Sequence, residues 1–471
     1  MPWGLLGVEL TVCAWILLML AADIVMPAAR KPSLWLLALA GVVCCAGLLI
    51  GQSASWPGAF QQMFVADEFS GYFKGLFLLT VAVVIVMTRE FHRHLPTHLG
   101  AFYMLLFTAL LGMLVLASMN DLLMLFLGLE LLTFSLYIMA AYLKTDARSV
   151  EAGMKYLIMG SVSSGFLVYG IALLYGFAGS TNFAVIQAKV ASGSVTLGAE
   201  AGLLLLLAGL GFKVAAVPFH LWVPDVYEGA PTPVVALLSV GSKMAGVVAI
   251  LRVLYGVFLP LQSVWTHLVA LLSAATILYG NLGAIPQTNM KRLLGYSSIG
   301  HAGYLLMGLS TGTAQGIQAV GYYLLAYLFS NLTVFFVVLL ASEAMGGDAL
   351  DDFKGLAKRS GFLAAIMFIG LLSLAGVPPF AGFVGKLLVL LATVESGRLW
   401  LVAIGAVNVA VSLYYYLMVV KRMYLDAPRV TSPIRVHAFT KAVLAFLAIG
   451  TLTIGIFQEP FFAQVAAALH L

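Results

Sequence analysis

The chain reads as an all-α polytopic membrane protein with about 14 transmembrane helices, and three observations carry that reading. Of its 471 residues, 62% are hydrophobic and 9% are charged, against roughly 25% charged in a soluble domain. Its apolar runs are about 17 to 25 residues long and do not alternate, which suits helices crossing a bilayer rather than the strands of an outer-membrane barrel. The basic residues of its loops fall almost wholly in alternate ones, as successive crossings require.

Taken in order, crossings are expected at 4–26, 33–51, 72–88, 99–117, 121–143, 152–177, 201–222, 233–257, 263–283, 291–310, 315–342, 361–394, 399–420 and 439–461. No polar stretch between them is long enough to fold as a water-soluble unit. A single transmembrane domain over 1–471 is therefore expected, divided into 1–98 with the first three helices, 99–257, 263–420, and 437–471 with the last helix. The first segment has neither a basic run before it nor a cleavage pattern, and is expected to be a retained helix with no signal peptide. Pro218 interrupts the seventh segment soon after Lys213. The twelfth is too long for one straight crossing and holds Gly376, Pro378, Pro379 and Gly382, so it reads as a broken helix. Because the two breaks lie five helices apart, helices four to eight and nine to thirteen would form two inverted five-helix repeats, a pattern in which broken helices mark a transport site.

Loops after odd-numbered segments carry Arg30, Lys31, Arg89, Arg93, Lys144, Arg148, Lys291, Arg292, Lys354, Lys358, Arg359, Lys421, Arg422, Arg429 and Arg435; loops after even-numbered segments carry Lys189 and Arg398. The positive-inside rule makes the first set cytoplasmic, with both termini expected on the opposite side of the membrane. The loop at 224–233, acidic through Asp225 and Glu228, is the odd one without a basic residue. A formal charge of +5 is too small to imply nucleic acid as a partner. Cys13, Cys44 and Cys45 lie in apolar sequence without CxxC spacing and read as packing residues. No metal, haem or nucleotide motif is present.

A charge at mid-bilayer costs at least ~2.5 to 3.5 kcal/mol. Lys74 and Lys441 stand close enough to segment ends to snorkel, and Arg252 is ambiguous. Lys213, Lys243 and Lys386 are too deep for that account, as is Glu130 in LFLGLELLTF. Burial disfavours an ammonium ion and a nearby carboxylate favours it. Glu130 and Lys213 are therefore candidates for a proton switch, the competing reading being a static ion pair between two helices. Lys243 has Ser239 and Ser242 for polar company, and Lys386 stands beyond the second break, near Gly382 and Gly385. Three residues keep two readings each: His220 is a relay or a loop-end histidine, His301 a bridge between half-sites or a satisfied core histidine, and Lys155 an entry-side relay or a snorkelling lysine.

The stretches LGLELLTFSLYIMAAY (127–142), RSVEAGMKYLIMGSVSSGFLVYGIALLYG (148–176), GFKVAAVPFHLWVPDVYEGAPTPVVALLSVGSK (211–243), QTNMKRLLGYSSIGHAGYLLMGL (287–309) and LAGVPPFAGFVGK (374–386) closely resemble the antiporter-like subunits of respiratory complex I. Subunits of Mrp-type cation/proton antiporters are the nearest alternative, and a spacer whose buried charges only stabilise packing is a third reading. The resemblance implies a proton-translocating subunit in which Glu130 pairs with Lys213, Lys243 connects the halves, Lys386 faces the exit and Lys155 is an additional lysine. It also implies that no cofactor sits in this chain, that NADH, FMN, iron–sulfur clusters and quinone are handled by other subunits, and that the partners are neighbouring membrane subunits and the lipid bilayer.

Overall fold

The computed structural model describes residues 3–53, 56–95, 99–193, 195–428 and 430–469; Arg429, one of the basic loop residues, lies outside them. The helices are α1 (Gly7–Val25), α2 (Leu34–Gln52), α3 (Glu68–Phe91), α4 (Leu99–Ser118), α5 (Leu122–Ala140), α6 (Ala147–Ala178), α7 (Phe183–Ala191), α8 (Leu197–Val214), α9 (Val223–Gly229), α10 (Thr232–Leu237) and α11 (Lys243–Gly256). They continue with α12 (Gln262–Ala284), α13 (Met290–Ser310), α14 (Ala314–Met345), α15 (Leu356–Arg359), α16 (Gly361–Ala375), α17 (Ala381–Glu395), α18 (Leu399–Tyr424), α19 (Ala438–Ile456) and α20 (Gln458–Ala468). Among the described residues, twelve helices are long and apolar enough to cross a membrane.

Both expected breaks are present. The seventh segment stops at Val214, eight residues short of its expected end, because Ala215 turns left-handed at φ 66° and Pro218 follows. The twelfth divides into α16 and α17 around Gly376 at φ 86°. A left-handed residue after the last helical turn is the usual way a helix ends, and glycine takes it without strain. The structure also adds a hairpin of β1 (Gly58–Phe60) and β2 (Phe64–Ala66) where only a loop was expected. Its turn is held through the Gln62 carbonyl, which accepts from the Asn120 and Asn182 side-chain amides at 2.9 and 3.0 Å.

The chain divides into two compact units, one of Met1–Ala215, Gly241–Trp265 and Ala467–Leu471, the other of Ala216–Val240 and Thr266–Ala466. In the first, α4 packs against α1, α3 and α5, and α6 lies along α8. Side-chain caps set several helix starts: Asp67 and Ser70 form a capping box on α3, Asp121 accepts from the Leu123 amide, and Asp146 from the Arg148 amide. The outward faces of α1, α2 and α6 carry Leu17, Ile24, Val43, Ile50, Ile158 and Val162, an apolar surface suited to lipid or to another membrane subunit.

Two charged contacts in this unit resolve residues whose place was open. Arg252 grips Asp67 with both terminal nitrogens, at 2.9 and 2.7 Å, donates to the Ala117 carbonyl, and lies over the Phe69 ring. Lys74 does not snorkel. Helix α3 begins at Glu68, so Lys74 is carried inward, where it is 1% exposed, paired with Glu9 at 2.8 Å and set over the Phe64 ring. The expectation failed because Glu9 comes from a different crossing, and no spacing within one segment reveals it.

In the second unit α14 is buried along its apolar length and packs against α13, α16, α17 and α19. The acidic run after the first break forms the short helix α9 rather than an open loop. Arg292, in the first turn of α13, binds its Asp225 at 2.6 Å and its Glu228 at 3.0 Å, while Lys291 binds Asp348 at 2.9 Å.

Replacing Lys74 by Met leaves the Glu9 carboxylate buried without its cation, a change expected to cost about 3 to 5 kcal/mol. The thermal unfolding midpoint in detergent should fall, and adding Glu9→Gln should restore most of the loss; an unchanged midpoint in Lys74→Met refutes the assignment. A second expectation concerns acid. Burial alone would push the Asp67 carboxyl up, but the Arg252 guanidinium and the Ser70 amide outweigh it and hold the group below the usual carboxylate range. A carboxylate lowered by folding contributes stability above its unfolded pKa of about 3.9 and loses it as pH falls through the folded value. Below about pH 4 the unfolding midpoint should therefore drop more steeply in the native chain than in Asp67→Asn.

Candidate functional site

Glu130, Thr133 and Tyr137 recur at i, i+3 and i+7, one face of α5. Opposite them α6 presents Ser163 and Ser164, and α8 presents Lys213 in its last turn, where the helix dipole favours a cation. Together these six side chains line a cavity of about 20 Å³, room for one water. Ser164 donates to Glu130 Oε1 at 2.5 Å, and Lys213 Nζ donates to Thr133 Oγ1 at 2.9 Å. Lys213 is 4% exposed, whereas Glu130 is only half-buried, shallower than its place in the segment suggested. The structure thus brings the expected carboxylate and lysine to one cavity without closing an ion pair between them. The close approach of α5 to α6 requires glycine at Gly160, since a Cβ there would collide with the Tyr137 hydroxyl.

Lys243 is buried at the start of α11, directly after a π-helical turn over Leu238–Ser242. One turn further on is Gly246. A Cβ at that position would come within 2.9 Å of Val214 Cγ1 and 3.1 Å of Lys213 Cγ, so α11 runs directly against the stem of Lys213. Ser239, expected as company for Lys243, donates to the Ala236 carbonyl and accepts from the Asn331 amide.

The second unit holds a separate polar centre built on the other break. Because α16 stops at Ala375, its last carbonyls have no helical partner. Lys386 of α17 donates to two of them, Leu374 and Ala375, at 2.9 Å each, and also to Ser412 Oγ at 3.4 Å, with the Tyr304 ring 5.2 Å away. His301 is hydrogen-bonded on both ring nitrogens, Nδ1 to the Tyr323 hydroxyl at 2.6 Å and Nε2 to the Tyr416 hydroxyl at 3.1 Å. Tyr416 in turn bonds Ser297. Beside them His301, Tyr323, Tyr327, Ser330, Ser373 and Gly382 line a cavity of about 10 Å³.

The remaining candidates stand apart from these two centres. Lys155 lines neither cavity; its side chain is 38% exposed on α6 and paired with Glu151 at 2.7 Å. His220 is buried in the first break with its ring edge-on to Tyr279 at 4.2 Å, and among the described residues neither ring nitrogen has a hydrogen-bond partner. Lys441 is exposed near the start of α19, as a snorkelling lysine should be. Sequence reasoning missed Thr133, Ser164, Tyr323, Tyr416 and Ser412. Thr133 was readable, since it lies one turn from Glu130 on the same helix; the others come from distant segments that no local spacing connects to their partners.

Residues 118–412 match the family model described as the membrane part of NADH:quinone oxidoreductase and Mrp antiporters. A protein of Moorella thermoacetica named NADH-quinone oxidoreductase subunit N is 41% identical over 457 residues, which is 97% of this chain and 96% of the relative. A chain in the structure titled respiratory complex I from Thermus thermophilus with bound aureothin superposes with a TM-score of 0.84 at 31% identity, covering 98% of this chain and 99% of that one. A chain of the Mrp complex from Dietzia sp. DQ12-45-1b reaches a TM-score of 0.88, covering 100% of this chain and 97% of that one, but at 21% identity it speaks for the fold alone. With a relative so similar end to end, and with the family match spanning both breaks and Glu130, Lys213, Lys243, His301 and Lys386, the chain belongs to the family of NADH-quinone oxidoreductase subunit N.

Proposed function

We propose that this chain is a proton-translocating membrane-arm subunit of a bacterial NADH-quinone oxidoreductase, with Glu130, Lys155, Lys213, Lys243, His301 and Lys386 as its proton relay. The observation that carries the proposal is the cavity shared by Glu130 and Lys213. A carboxylate and an ammonium stand on opposite walls of a space that fits one water, each on its own hydroxyl, so the pair can join or part without rebuilding the helices. Quinone reduction in partner subunits changes the field at one end of the membrane arm. That change shifts the balance between joined and parted states, and Lys243, His301 and Lys386 take the charge onward. Lys155, paired with Glu151 on the outer face of α6, serves at the surface. The energy comes from redox chemistry on NADH, FMN, iron–sulfur clusters and quinone held by other subunits, while this chain performs no redox step itself.

Adding α13 and the broken pair α16–α17 to the twelve apolar helices brings the crossings to fourteen. Two inverted repeats, over helices four to eight and nine to thirteen, are supported by their matching breaks: a left-handed residue ends α8 and α16, prolines follow, and a buried lysine stands by each. Neighbouring membrane subunits and lipid are the partners, and both termini face the periplasm. An Mrp-type antiporter shares the fold, but 41% identity to a subunit N relative against 21% to the Mrp chain favours complex I.

In the assembled complex in sealed vesicles, Glu130→Gln and Lys386→Ala should each lower proton pumping at least about tenfold, as expected for removal of a proton-transfer group. Normal pumping with intact assembly removes the residue from the relay. Topology has its own test after the native cysteines are replaced. A cysteine at Gly193 should react with a membrane-impermeant maleimide in whole cells, and one at Lys354 only after permeabilisation; the opposite pattern inverts the orientation.

A further inference from the structure

We propose that Thr133 is a positioning residue that holds the Lys213 ammonium away from Glu130, making the parted arrangement the resting one. The inference rests on the reading of Glu130 and Lys213 as a proton-carrying pair. It begins with where the Thr133 proton goes. The hydroxyl donates to the Leu129 carbonyl one turn back on α5, which leaves its lone pairs for other partners. A lysine ammonium has three donors and no acceptor. The 2.9 Å contact therefore runs in one direction only, from Lys213 Nζ to Thr133 Oγ1.

The stem of Lys213 has little freedom. Gly246 lets α11 close on its Cβ and Cγ, and the side chain is 4% exposed. What can move is the far end of the chain, which either rests on Thr133 or swings toward Glu130. Glu130 meanwhile is satisfied from a different helix, by the Ser164 hydroxyl. Each charge thus has a local neutral partner, and the cavity between them is too small for more than one water. Without an acceptor at position 133, the lysine turns to that water, to another hydroxyl of the cavity wall or to the carboxylate, the one partner there of opposite charge. The pair then stays joined, and the parting that each cycle needs becomes slow.

The test uses the assembled complex in sealed vesicles, with NADH oxidation, proton pumping and complex assembly measured together. Thr133→Val keeps the β-branch and removes the acceptor, and Thr133→Ala removes it without adding bulk. Thr133→Ser keeps both the acceptor and its backbone bond. Loss of a hydrogen bond to a charged group should slow pumping about tenfold or more in the Val and Ala variants, while the Ser variant pumps like the native complex. Native pumping in Val or Ala overturns the proposal, and so does a Ser variant that falls as far as they do, since that is the mark of a packing role. Glu130→Gln, run alongside, separates the two levels. If Glu130→Gln pumps normally, the proton-pair reading itself fails; if it loses pumping while Val and Ala keep it, only the positioning role of Thr133 fails.

Discussion

A helix that stops inside a membrane leaves carbonyls that water cannot reach, and this constraint shapes the second polar centre directly. The last carbonyls of any helix lack partners within it, and in hydrocarbon each unsatisfied group costs several kcal/mol. Here the second break answers the problem with a cation: Lys386 sits on the carbonyls of Leu374 and Ala375 and is held by the helix end that its own segment interrupts. Neither half is complete alone. The lysine is soluble in that interior because the carbonyls are free, and the free carbonyls are tolerable because the lysine is there.

The first break uses the same ingredients differently. Lys213 also stands in the last turn of a helix that ends early, yet its ammonium points across to a hydroxyl on α5 rather than back to its own carbonyls. A neutral hydroxyl is a weaker hold on a cation than a carboxylate or a pair of converging carbonyls. Glu130 is likewise held by a hydroxyl, that of Ser164. Both members of the pair are therefore satisfied enough to stay in place and loosely enough to exchange partners.

Much of this was legible in the sequence because membrane burial makes every polar residue conspicuous. Pro218 and the Gly376–Pro379 run gave away both breaks, and Glu130, Lys213, Lys243 and Lys386 stood out as charges in otherwise apolar stretches. What could not be read was partnership across segments. The contact of Lys74 with Glu9 joins two crossings and turned an apparent snorkelling lysine into a buried pair. The tyrosines on His301 come from α14 and α18, and the extent of burial of Glu130 depends on how α5 packs rather than on its position along α5. The hairpin at Gly58–Ala66 was hidden for a different reason: its strands are three residues each, too short for any periodic pattern to register.

Three buried cations of the first unit then sort by the strength of their partners, and that sorting matches their proposed roles. Arg252 has a bidentate carboxylate, a carbonyl and an aromatic ring, and Lys74 has a carboxylate and a ring. A charge so fully matched is costly to neutralise, because losing the proton leaves its partners buried and unpaired. Such groups fasten helices. Lys213 faces only a hydroxyl with its proton already committed elsewhere, and a carboxylate it does not touch lines the same cavity. The energy difference between holding and passing a proton is smallest where the partner is neutral and the alternative partner is near. By that physical criterion Lys213, among these three cations, is the one placed to exchange its partner.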